Sequence, residues 1–463
     1  MPLMHENRLI SLQTTIGFLT LVLVLVSALA LGANRPVAWS LLTFAMIPLF
    51  GLQVLRAVVI PLPYQLRELL VPSLLYLTVL VWAIFQLSPN APTAWLHPFW
   101  QMVPEAQGAI SADPALGRQS IVRLALYAMI FVIAATTFAR PEAAQWGLRV
   151  FAIWSSLLAL FGFYAMATGS NPIVTTATGD IMRASFVNRN SYATYAAFGT
   201  VANIGVYLSM VEQGSLSSAR RRWRNMLESF FGGGWIFGVG ALLCLAAVAL
   251  TASRAGALSA VVGLMTFAWA WTSKRRSEDD KRTIGSGIIF LVGLAVIVGF
   301  VAYASSGTLI SRLLTASGEE LRFIVFPQII DLTLERPLLG HGLGSFQSVF
   351  RQAVPQVAGF AEWDFAHNSY LENAFELGLP ASGAFYLALA LIGIRILRGV
   401  HIRRRDRVYC CVAMSCFVIA MVHASFDFSL QMPATAGVFA VLCGLGWSQS
   451  FSELARRKAM IAD

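Results

Sequence analysis

Apolar runs of about 20 residues recur from one end of the chain to the other, each long enough as a helix to cross about 30 Å of hydrocarbon. They lie at roughly 14–32, 37–55, 69–87, 119–138, 146–168, 191–212, 234–251, 255–273, 284–304, 377–397, 408–427 and 432–449. The runs are too long and too continuous for barrel strands, which alternate over about 10 residues. The pattern therefore predicts an all-α integral membrane protein of about 12 transmembrane helices. Residues 1–463 read as a single polytopic domain, with no internal repeat, low-complexity tract or separate soluble domain.

The polar connections sharpen this picture. Basic clusters fall at RRRWR (220–224), at KRR and KR (274–276 and 281–282), at HIRRRDR (401–407) and in ARRK near the C-terminus. They occupy every second connection, as the positive-inside rule requires if both termini are cytoplasmic. The net charge of +10 is thus a topology signal, and its distribution argues against nucleic acid as a partner. Composition agrees: 57% of residues are hydrophobic and 12% charged, about half the charged fraction of a soluble protein, and mean hydropathy is +0.68. The first run lacks a small-residue cleavage site and is followed at once by a second, so it reads as a retained helix. Cys244, Cys410, Cys411, Cys416 and Cys443 all fall in or at the ends of apolar runs. They read as small buried hydrophobes, not as a disulfide framework or metal cluster.

Three longer connections reach the opposite, outer face: 88–118, 169–190 and 305–376. In the last, Arg312, Arg322, Arg336 and Arg351 stand against eight acids, so it is net acidic. Helices are expected near 318–335 and 345–352, packed over the outer ends of the spans. A loop of this length in a compact membrane domain usually carries function.

Candidate chemistry concentrates on that face. His367 opens AHNSYLENAFELGLP, where Asn368 or its neighbours would cap the following helix. A histidine at a helix N-terminus tends to stay neutral and is equipped to accept a proton; the alternative is an imidazole merely hydrogen-bonded in a loop. Arg254, in ALTASRAGALSAVV, sits at a tight outer junction between two spans, among small residues that leave room for a ligand. It suits a phosphate, which guanidinium binds bidentately; the alternative is snorkelling to the headgroups. Arg322 precedes a run with a mostly apolar helical face, suited to the membrane surface; its alternative is a surface pair with Glu319. The segment MRASFVNRNSYATY brings Arg183, Arg189 and Asn190 to the start of a span, as further donors to the same cavity or as a helix cap with interfacial anchors. Asp427, at the outer end of the eleventh span, is placed to orient a base or an arginine. His341, in a glycine-rich turn read as flexible, is a turn residue, and no histidine spacing favours zinc. No walker lysine follows that turn, and no cofactor is expected.

These segments together resemble the O-antigen ligase and polysaccharide polymerase family of bacterial envelope assembly. The likeness rests on SRAGAL (253–258), ELRFIVFP (320–327), PLLGHGLGSF (337–346), HNSYLENAFELGLPA (367–381) and DFSLQMPA (427–434), and covers about 180–448. It implies a GT-C-like, metal-independent membrane glycosyltransferase of the bacterial inner membrane, acting at the periplasmic face on an undecaprenyl-diphosphate-linked oligosaccharide. Arg254 and Arg322 would hold the diphosphate, and His367 would activate the acceptor hydroxyl for inverting attack. Arg183, Arg189, Asn190, Asn368 and Asp427 would line the substrate site. The acceptor is either a second lipid-linked glycan, as in an O-antigen or exopolysaccharide polymerase, or lipid A-core, as in a ligase. The large outer loop, 305–376, leans towards polymerase; membrane lipids and a chain-length regulator are the expected partners. A transporter or flippase would instead place ionisable residues deep in the spans, where this sequence has few. A non-catalytic scaffold would leave His367 and the outer arginines without a purpose.

Overall fold

The computed structural model describes residues 2–60, 63–103, 105–174, 181–213, 230–273, 320–353, 363–403 and 405–451. Among these residues there are helices and turns and no strand. The long helices are α1 (Pro2–Ser27), α2 (Pro36–Val59), α3 (Leu70–Gln86), α4 (Pro114–Thr137), α5 (Pro141–Thr168), α6 (Arg189–Gln213), α7 (Trp235–Leu250) and α8 (Arg254–Thr272). Three shorter ones follow, α9 (Glu320–Glu335), α10 (Phe346–Ala353) and α11 (Ser369–Leu377). The chain then closes with α12 (Leu379–Ile402), α13 (Val408–Ala424) and α14 (Pro433–Gln449). Six of these helices are long and apolar enough to cross a membrane, and three shorter apolar helices accompany them among the described residues. The protein is a multi-pass membrane protein.

Local sequence explains where the helices begin. Proline occupies the first helical position of α2, α4, α5 and α14, where its missing N–H costs nothing. Asp113 caps α4 by accepting the N–H groups of Ala115 and Leu116, and Ser253 caps α8 through Gly256, each satisfying donors that a helix start leaves free. Gly169, in the left-handed region at φ 64°, ends α5. Eleven of the twelve anticipated spans coincide with observed helices to within a turn or a few; the run at 284–304 lies outside the described residues.

Burial separates inner from outer helices. Every residue of α14 is buried, and it packs between α4 and α13. By contrast α2 exposes Phe44 (79%) and Val58 (82%), and α3 exposes Val81 (64%). Large apolar side chains facing outward in this number are stable only in hydrocarbon. Small residues allow close approach inside: a side chain on Gly263 would strike Ile419, and one on Gly444 would strike the Phe131 carbonyl, the contact mode of helices in membranes.

A second layer sits over one end of this bundle. Val325 and Ile329 of α9, Phe346, Val349 and Phe350 of α10, and Trp363, Ala366 and Phe375 form a core of their own. The anticipated helices at 318–335 and 345–352 correspond to α9 and α10. The glycine-rich turn is a packed corner and not a flexible one. Gly340 and Gly342 have φ +68° and +105°, and any side chain there would meet the Glu376 carbonyl or Ser111, so only glycine fits. The anticipated tenth span, 377–397, falls in α12 apart from its first two residues, and Gly378 (φ 80°) separates α12 from α11. The eleventh span also ends early, at Ala424, leaving Asp427 in the turn beyond it.

Candidate functional site

The site is built where several helix ends meet a single carboxylate. Asp427 is fully buried in the turn between α13 and α14. Its backbone N–H donates to the His423 carbonyl at 2.9 Å, and its Oδ1 accepts the Phe428 N–H at 2.7 Å. The side-chain amide of Asn190, in the first turn of α6, donates to its Oδ2. Ser369, the first residue of α11, donates its hydroxyl to the Asp427 carbonyl at 3.0 Å. His367 then brings its Nδ1 to 3.6 Å from Asp427 Oδ1. That is a contact just beyond hydrogen-bond length, of the kind that tightens when substrate arrives. Two segments far from Asp427 in sequence thus converge on this one acid.

The electrostatics follow from this arrangement. Burial pushes the Asp427 carboxyl up, but the neighbouring His367 and His423 imidazoles and the Phe428 N–H together bring it below its ordinary value. It remains a carboxylate facing His367. The His367 side chain is 26% exposed while that of Asp427 is 0%, so the imidazole is the reachable member of the pair. With Nδ1 turned towards the acid, Nε2 is the nitrogen free to take a proton. Trp363 and Phe428 flank the ring edge-on, at 5.7 and 4.9 Å between centroids. Beneath Asp427, His423 Nδ1 lies 2.8 Å from both the Thr194 and the Ser429 hydroxyls.

The other anticipated residues take up varied positions. Asn368 caps α11, its Oδ1 accepting the Tyr370 and Leu371 N–H groups at 3.0 and 3.1 Å; its carbonyl oxygen is committed to the helix. Arg189 is the first residue of α6, half-buried beside Asn190. Arg183 lies on a strap tied to α7 by Met182 N–H on the Leu250 carbonyl, and its Nε is buried without a hydrogen-bond partner among the described residues. Arg254 is the first residue of α8 and half-buried. A side chain on Gly256 would meet Ala193 of α6, and Ser415 of α13 donates to the Gly263 carbonyl. The antiparallel register of α8 and α13 therefore sets Arg254 at the Asp427 end of the bundle. Arg322 lies on α9, with its side chain outside the described residues. One turn on, Val325 packs with Trp363 and Ala366, immediately before His367.

Two features escape a reading of the sequence. The first is a pair of buried acids on α11, Glu372 and Glu376. Glu372 Oε2 accepts the Ala366 N–H at 2.8 Å, and Glu376 Oε1 accepts the Phe346 N–H at 3.1 Å. Burial raises both carboxyls, and Glu376 raises Glu372 further. Their spacing of four residues between apolar neighbours was the available signal, since it sets both on one helix face. The second is a histidine pair. His97 Nε2 lies 2.9 Å from His341 Nδ1, and His341 Nε2 lies 2.9 Å from the Leu332 carbonyl. His341 is a turn residue, as expected, but one buried in a hydrogen-bonded chain.

Residues 239–386, less than half of the chain, match the family model described as O-antigen ligase. The match agrees with the resemblance seen in the motifs of the chain. The match includes the positions of Arg254, Arg322 and His367; Arg183, Arg189, Asn190 and Asp427 lie outside it. Among curated proteins nothing matches.

Proposed function

We propose that this chain is an O-antigen ligase family glycosyltransferase of the bacterial inner membrane acting at the periplasmic face, with both termini cytoplasmic. Its donor is an oligosaccharide on undecaprenyl diphosphate. The observation that carries the proposal is the His367–Asp427 contact: a half-open imidazole held by a buried, fixed carboxylate. Asp427 selects the tautomer with the proton on Nδ1 and stabilises the imidazolium that forms. His367 Nε2 takes the proton of the acceptor hydroxyl as its oxygen attacks the anomeric carbon. The bond from that carbon to the diphosphate oxygen breaks, and undecaprenyl diphosphate leaves with the electron pair. Attack opposite the leaving group inverts the anomeric centre.

Arg254 and Arg322 bind the diphosphate and offset the charge that develops on it, a task that two guanidinium groups can perform in place of a divalent cation. Arg183, Arg189 and Asn190 border the same end, and the Arg183 Nε, unpartnered among the described residues, supports a ligand there, because buried donors are normally satisfied. Asn190 acts through Asp427, and Asn368 by fixing the start of α11.

The acceptor has two readings. The long connection 305–376 favours a second lipid-linked glycan, hence an O-antigen or exopolysaccharide polymerase. The family description favours lipid A-core, hence a ligase. Reconstitution of the purified chain in liposomes with an undecaprenyl-diphosphate oligosaccharide tests the proposal and separates the two. Ladders from donor alone indicate polymerase, and a single capped lipid A species indicates ligase. No product with either acceptor would overturn the assignment.

A further inference from the structure

His367 adopts φ +53°, a left-handed conformation that is unfavourable for a residue with a side chain and persists only where its surroundings enforce it. The residues on either side show how it is enforced. After it, Asn368 is locked as the cap of α11. Before it, the Ala366 N–H is held at 2.8 Å by the carboxylate of Glu372, one helical turn into α11. Glu372 is 3% exposed. The same carboxylate also meets the side chain of Gln431, in the short 3-10 turn Ser429–Gln431 that follows Asp427. One acid therefore grips both the segment that carries His367 and the segment that carries Asp427.

We propose that Glu372 is the positioning residue that sets the His367–Asp427 pair. Its carboxylate fixes the backbone N-terminal to His367 and ties it to the turn after Asp427, so that the imidazole faces the acid. The inference rests on the reading of His367 as the base. Glu372 does not touch the reacting atoms; it acts through the main chain on which the imidazole is mounted. Glutamine retains a carbonyl oxygen for the Ala366 N–H, and the Gln431 amide can turn to meet it. Alanine retains neither contact.

The test is turnover of the full chain in liposomes with the undecaprenyl-diphosphate oligosaccharide and its acceptor, at several donor concentrations. Glu372→Ala is expected to lower kcat about 30-fold or more, since misplacement by about 1 Å can cost 10²-fold, while the KM for donor stays within about two-fold. Glu372→Gln is expected to recover kcat to within about three-fold of the parent. Gln431→Ala, which removes one arm of the grip and leaves no buried acid unpaired with its backbone donor, is expected to lower kcat about five-fold at unchanged KM. Melting in detergent shows whether each variant is folded. Parent-like kcat in Glu372→Ala, or a loss that appears only in KM, would overturn the proposal. So would a loss in Glu372→Gln as large as in Glu372→Ala, with both folded. If His367→Ala also turns over at the parent rate, the base assignment falls with it; if His367→Ala is dead while Glu372→Ala is not, only the role of Glu372 falls.

Discussion

His367 stands at the start of α11 and His341 packs against its end, stacked on Phe375 with ring centroids 4.3 Å apart, yet the two imidazoles are set to opposite tasks. His367 faces a buried carboxylate at 3.6 Å and is 26% exposed. His341 is 2% exposed and faces another histidine. In that second pair every role is fixed by the backbone. The Phe99 N–H can only donate, so His97 Nδ1 accepts it at 3.2 Å, and His97 Nε2 carries the proton. The Leu332 carbonyl can only accept, so His341 Nε2 donates to it and His341 Nδ1 accepts from His97. The chain closes only with both rings neutral, and burial accordingly lowers His97 to about 3 and His341 to about 4. Neither ring has a nitrogen left for a substrate. A histidine beside a carboxylate and open to water can cycle a proton; one enclosed in neutral donors and acceptors can only hold structure.

Exchange of each histidine for a side chain without a proton acceptor gives the sharpest test of this contrast. His367→Ala is expected to lower glycan transfer by about 10³-fold or more, at the upper range of general-base contributions, with donor binding retained. His341→Phe is expected to lower the melting temperature while the protein that stays folded keeps kcat within about three-fold. Comparable losses of kcat in the two variants would erase the distinction. Asp427→Asn comes next. It keeps the shape of the site but removes the charge that orients His367. A loss of about 10²-fold in kcat is expected, less than the roughly 10⁴-fold seen for a tightly bonded acid–histidine pair, because the contact here is 3.6 Å long. A parent-like rate in that variant would mean that the acid serves only the turn. Arg254→Lys should cost about ten-fold in turnover with this donor, because ammonium cannot reproduce the bidentate fork. Full activity would count against a diphosphate clamp.

Most of the helical frame was legible in the sequence because membrane spans leave a coarse signal: length, apolarity and the alternation of basic connections. The candidate site was legible in part, for a related reason. His367, Asn190 and Asp427 all lie at helix ends, where capping residues and breaks in hydropathy are visible. What sequence does not display is which ends meet. The Asn190–Asp427 contact joins positions 237 residues apart, and His97 and His341 are separated by 244. Burial was equally hidden. Glu372 and Glu376 read as two of eight acids that made a loop net acidic, when both are enclosed and bonded to backbone. Composition counts charges, but it does not reveal which have left water.

The last expectation concerns acid and is read in stability, leaving turnover aside. In the unfolded chain His97 and His341 titrate near 6.5, whereas folding lowers them to about 3 and 4. Between these values the unfolded state binds protons that the folded state refuses, so stability rises with pH and is lost on acidification from about pH 6.5 downward. By pH 5 each ring should cost on the order of 2 kcal/mol, and the pair about twice that, since both are protonated in the unfolded chain and neither in the folded one. Arg336 lies beside the pair, donating to the carbonyls of Trp95, Leu96 and Gly340, and its fixed charge strengthens this trend. Glu372 and Glu376 oppose it. Their folded carboxyls are raised, so acidification relieves them and adds stability. The two trends oppose each other in the parent, so the informative quantity is a difference. A His97→Gln, His341→Gln double variant should melt below the parent at pH 7.5, and the gap should narrow as the pH is lowered to 5. A gap that stays constant, or widens, would show that the two rings are not held neutral by the fold.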